Sequence, residues 1–134
     1  MGTLVGAWKL VSFEETSPDG QQLQPYGPDP VGILIYTDSG YMCVQIMRRD
    51  RAALPDVAFE EIGADQIKEA VGGFTAFSGT YQADYHNHIV IHHVQSHILP
   101  GSVGKDLRRR YELMGDTLVL RPTPTRAVTW ERLK

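Results

Sequence analysis

The sequence predicts an all-β fold: an antiparallel, up-and-down barrel of eight strands, or nine, with one short helix at about residues 60–76 covering a barrel mouth. Three observations carry this. Turn signals recur about every eight to twelve residues. The segments between them are rich in Val, Ile, Tyr, Phe and Thr, which suit a pleated, half-buried surface. A single stretch has helical rather than strand periodicity. Closing so many short strands into a barrel removes the exposed edges of an open sheet.

Taken in order, strands are expected at 6–15, 31–37, 41–48, 78–85, 88–97, 106–114, 117–122 and 127–133. Asp38-Ser39-Gly40, His86-Asn87 and Met114-Gly115-Asp116 are short enough to make hairpins, and Pro122-Thr123-Pro124 precedes the last strand. Residues 16–30, with Pro18, Pro25, Pro28 and Pro30, read as a loop with a short extended piece at Gln21–Gln24. In 60–76, Ile67, Val71 and Phe74 recur at helical spacing, Asp65 can cap, and Gly72-Gly73 weakens the helix by about 1 kcal/mol per glycine. Such a helix needs packing, which a place across the barrel mouth would supply.

A chain of 134 residues fits a single domain, 1–134. Thirteen Lys+Arg against sixteen Asp+Glu give a net charge of −3, which argues against nucleic acid as a partner. No apolar run approaches the ~20 residues of a membrane span. Cys43 is the only cysteine, so an internal disulfide is excluded and a reducing, cytoplasmic location is expected. The opening residues lack the pattern of a secretory signal. A monomer or homodimer is expected.

The start Leu4-Val5-Gly6-Ala7-Trp8-Lys9-Leu10 resembles the Gly-x-Trp opening strand of lipocalin-type barrels. The run Tyr26-Gly27-Pro28-Asp29-Pro30-Val31-Gly32-Ile33-Leu34-Ile35-Tyr36, with Tyr41-Met42, Gln45-Ile46-Met47-Arg48-Arg49-Asp50-Arg51, Phe77-Ser78-Gly79-Thr80-Tyr81, His92-His93-Val94, Arg109-Arg110-Tyr111-Glu112-Leu113 and Trp130-Glu131-Arg132, resembles the small lipocalin-like domain family of bacteria and fungi. The resemblance spans nearly the whole chain. It implies a central cavity for a small, mostly apolar molecule, and members include cofactor-free enzymes of natural-product pathways. The sequence departs from the family pattern at Arg49, where proline is usual, and at Ser78, where an aromatic is common.

Strict alternation over Leu107–Leu113 puts Arg108, Arg110 and Glu112 in water and points Leu107, Arg109, Tyr111 and Leu113 inward. A buried guanidinium needs a partner, so Arg109 either stacks on Trp8, a role for which Arg132 competes, or faces a ligand. On the strand His88–His97, alternation groups Ile89, Ile91, His93, Gln95 and His97 against Val90, His92, Val94 and Ser96. His93 and Gln95 are expected inside, with His93 serving as acid or base or hydrogen-bonded to a neighbouring strand's side chain. Tyr41, Gln45 and Met47, sharing a face with Cys43, together with Tyr36, Phe77, Tyr81 and Tyr111, complete the expected ligand wall. Cys43 is expected to be core, and Arg48–Arg51 a solvated rim able to steer an anion.

No metal site is expected: His93 and His97 lie about 13 Å apart along a strand, and His86 and His88 flank a turn. No phosphate-cradling glycine loop, dinucleotide fingerprint or serine-nucleophile elbow is present, and no cofactor is expected. Two functions are consistent with these residues. One is binding of a small hydrophobic or aromatic molecule. The other is a cofactor-independent isomerase, cyclase, hydratase or lyase acting on a polyketide-like or aromatic intermediate, with His93, Arg109 and Tyr81 moving the proton.

Overall fold

The computed structural model describes residues 2–134. Nine strands form one antiparallel sheet: β1 (Gly6–Thr16), β2 (Gln22–Leu23), β3 (Val31–Tyr36), β4 (Tyr41–Met47), β5 (Phe74–Asp84), β6 (Ile89–His97), β7 (Asp106–Met114), β8 (Thr117–Arg121) and β9 (Arg126–Arg132). From β3 to β9 each strand pairs with the next, β1 pairs with both β3 and β9, and eight strands therefore close into a barrel. The two-residue β2 is the expected extended piece, laid along the end of β1.

Two bulges set which side chains face inward. Between Leu10 and Ser12 the β1–β9 register slips, so Val11 bulges outward and the inward series passes from Trp8 and Leu10 to Phe13. The second lies where Ser78 pairs with Ser96 but Gly79 pairs with Val94, leaving Gln95 as the extra residue on β6. Gly79 permits this close approach, since a Cβ there would collide with the His93 carbonyl oxygen and lie 3.0 Å from the Gln95 amide nitrogen.

One barrel end is closed by the chain's own start. Trp8 is wholly buried and donates its indole N–H to the Leu4 carbonyl at 2.9 Å. The Arg132 guanidinium lies 4.2 Å from the Trp8 ring and donates to the Val5 and Thr3 carbonyls at 2.9 and 2.8 Å. Tyr85 holds the same segment through Thr3 and the Leu4 amide.

The helix is shorter than expected. α1 spans Ala64–Gly72, begins after Gly63, whose N–H donates to the Gln66 side-chain oxygen, and stops at the glycine pair. Phe74 opens β5 instead of extending the helix. The helix connects β4 to β5 at the end opposite Trp8, yet none of its residues is buried and none lines the barrel cavity. It borders the mouth without filling it. The rim arginines serve as clips there: Arg48 pairs with Asp50, Arg49 with Asp29, and Arg51 donates to the Ala70 carbonyl and lies over Phe74.

Candidate functional site

Hairpin register decides the inner wall. Tyr36 pairs with Met42 and Leu34 with Val44, so β4 turns Met42, Val44 and Ile46 inward. Tyr41, Gln45 and Met47 thus stand on the outer face, correcting the expectation that they line the cavity. Tyr41 is 56% exposed. Cys43 shares that outer face and is half-buried rather than core. Both faces of this strand are apolar enough that alternation alone does not choose between them.

The β6 histidines are the second correction. Leu107 pairs with His92, and Asp106 with His93. Because Leu107 faces inward with Arg109, His92 does too, and it is 2% exposed. His93 projects outward, where its Nδ1 meets Asp106 at 2.7 Å and its Nε2 meets the Gln82 side-chain oxygen at 3.3 Å. It is the histidine bonded to side chains of neighbouring strands, not one inside the barrel. Gln95 is the exposed bulge residue, and the bulge returns His97 to the cavity, stacked on Phe77 with ring centroids 5.3 Å apart.

Toward the open end the barrel holds a cavity of about 280 Å³. Phe13, Val44, Ile46, Phe77, Leu120 and Val128 make its apolar wall, and Arg109, His92 and Trp130 also line it. A larger recess of about 420 Å³ lies outside the barrel between residues 48–54 and α1, where Arg48 and Arg51 are already engaged.

His92 Nε2 and the Tyr36 hydroxyl are 2.6 Å apart in the buried interior. Burial, and secondarily the Arg109 and His93 charges, push the His92 pKa down to about 3, so the imidazole is neutral. Burial raises the Tyr36 pKa far above the ordinary phenol range, so its hydroxyl keeps its proton. Arg109 lines the cavity, while Arg132 takes the stacking place on Trp8. Among the described residues Arg109 has no ion-pair partner.

Tyr81 packs its ring 4.6 Å from that of Tyr36, but its hydroxyl is spent on the Thr37 carbonyl at 2.7 Å. Tyr111 is buried beside His88, outside the cavity wall. The expected trio of His93, Arg109 and Tyr81 therefore does not converge. His92 and Trp130 are the site residues the sequence reading missed. A signal for His92 was present in the pairing of its strand with the clearly alternating β7.

A family model for the lipocalin-like domain matches residues 5–133. The chain belongs to the lipocalin-like domain family. Its closed antiparallel barrel is the kind that holds small molecules in its interior. No curated protein matches this lipocalin-like chain. Among the described residues, no helix is long and apolar enough to cross a membrane.

Proposed function

We propose that this lipocalin-like protein binds a small, largely apolar or aromatic molecule in the cavity beneath the open barrel end. The observation that carries this reading is an apolar-walled cavity into which a few polar groups converge from separate strands, the usual composition of a ligand site. At about 280 Å³ it lies near the lower end of ligand pockets, which run from about 300 to 1,000 Å³, and suits a body of one or two rings. In this reading Phe77 and Arg109 line the ligand, and Tyr36 holds His92 beside it. His92 replaces His93.

A second reading is a cofactor-independent isomerase, cyclase, hydratase or lyase, favoured by the Tyr36–His92 hydrogen bond beside the cavity. The pair could relay a proton to a bound molecule. Binding is preferred because an imidazole with a pKa of about 3 is a weak general base at neutral pH.

The test is a thermal-shift screen of one- and two-ring aromatic and polyketide-like compounds, followed by product analysis of every hit. A ligand at one hundred times its Kd stabilises by about 2.7 kcal/mol. Stabilised protein with unchanged compound supports binding, and converted compound supports the enzyme.

A further inference from the structure

We infer that the ligand of this cavity carries an oxyanion, a carboxylate or enolate oxygen on a compact apolar body, and that Arg109, Trp130 and His92 receive it. This rests on reading the cavity as a ligand site, and adds the chemical class of what fills it.

Charge is the first ground. The cavity lining includes Arg109, Lys105 and Arg126 but no Asp or Glu. Arg126 is neutralised by Glu15 at 3.1 Å. Arg109 and Lys105 have no carboxylate partner among the described residues. Lys105 is exposed to solvent, but Arg109 is partly buried, where a cation without a counter-ion is costly and an anionic ligand removes that cost. Burial chiefly lowers the Arg109 pKa, opposed by Tyr36, but a guanidinium stays charged at neutral pH.

Orphaned hydrogen-bond atoms are the second, independent ground. The indole nitrogen of Trp130 and Nδ1 of His92 are buried and lack a hydrogen-bond partner among the described residues. Trp130 is 1% exposed, and an indole N–H can only donate. The tautomer of His92 follows from Tyr36. Among the described residues the Tyr36 hydroxyl has only Nε2 of His92 as a partner, so donating to it satisfies the hydroxyl proton. That leaves the imidazole proton on Nδ1, a second unused donor. The opposite tautomer would strand the hydroxyl proton in the buried interior, at a cost of about 1–3 kcal/mol.

The polar groups thus agree in kind: one guanidinium and two N–H donors. A neutral hydrocarbon would leave all three unsatisfied, and a ligand amine would meet like charge. An acidic oxygen answers each of them, and charge-assisted hydrogen bonds are the strong ones.

The experiment compares 2-naphthoate with 2-naphthalenemethanol, an anionic and a neutral probe on the same ring system, by calorimetric titration of the whole chain. The naphthoate is expected to bind at least about tenfold more tightly, the minimum for one hydrogen bond to a charged group. Arg109→Gln should bring the two to near parity by weakening the naphthoate more than the alcohol, and Trp130→Phe should weaken the naphthoate with the alcohol less affected. Equal binding of both probes to the wild-type protein overturns the oxyanion and leaves cavity binding standing. Binding of neither overturns cavity binding as well. Should a variant fail to fold, the comparison in the wild-type protein decides the matter alone.

Discussion

The Tyr36 hydroxyl and His92 Nε2 meet at 2.6 Å across the barrel interior, joining β3 to β6, two strands that are not neighbours in the sheet. The bond spans 56 residues of sequence and fixes which imidazole nitrogen is occupied and which is left without a partner among the described residues. Tyr36→Phe removes the hydroxyl and leaves Nε2 buried without a partner, and should destabilise by about 1–3 kcal/mol. Adding His92→Phe should cost less than the sum of the single changes, because the second removes the atom orphaned by the first. Chemical denaturation of the four proteins measures this coupling.

The same histidine gives stability a pH dependence of definite sign. Its folded pKa of about 3 lies below the ordinary 6.5, so between those values the unfolded chain binds the extra proton. Its contribution is complete above about pH 6.5 and declines as pH falls from there toward 3. Denaturation midpoints of wild-type and His92→Phe protein should converge on acidification through this window. A constant difference would show that His92 titrates normally.

Three consecutive arginines on β7 should behave in two ways. Arg108 and Arg110 are exposed, and replacement by Ala should change stability by no more than about 0.5 kcal/mol. Arg109→Met should leave the ligand-free protein equally or more stable, since it removes an uncompensated cation from a partly buried position. A clear loss of melting temperature in Arg109→Met would assign Arg109 a structural partner.

Much of the fold was legible because the relevant signals are local. The turns at Asp38-Ser39-Gly40 and Met114-Gly115-Asp116, and the alternation Leu107–Leu113, each place a strand without reference to any other. The helix was legible in position, but its end was not, because Phe74 fits a helical period and a strand start equally well. The site was less legible because it depends on register. His92 and His93 can exchange faces with a one-residue slip, and the connection 98–105 between β6 and β7 is too long to dictate their pairing. Tyr41, Gln45 and Met47 were misplaced for the same reason, on a strand apolar on both faces. The Gln95 bulge, which puts His97 inside, depends on Gly79 of the neighbouring strand.

Two glycines should respond to alanine with opposite signs. Gly79→Ala drives a Cβ into the β6 backbone and should destabilise by about 1–3 kcal/mol or more. At Gly72 in α1 nothing lies within 4 Å of the added carbon, and alanine should stabilise by about 0.5–1 kcal/mol. Thermal unfolding of the two variants checks the pair, and like signs would refute the bulge geometry.

The two tryptophans provide the most direct measurement of whether the cavity receives an acidic ligand. Trp8 already donates its indole N–H to Leu4, whereas Trp130 lines the cavity and its buried indole N–H has no partner among the described residues. In an ¹⁵N–¹H spectrum their indole signals, assigned with Trp130→Phe, can be followed during titration with 2-naphthoate. The Trp130 signal should move downfield as its N–H acquires an acceptor, with Trp8 essentially unmoved. A saturating titration in which Trp130 stays in place, or only Trp8 moves, would contradict binding at this site.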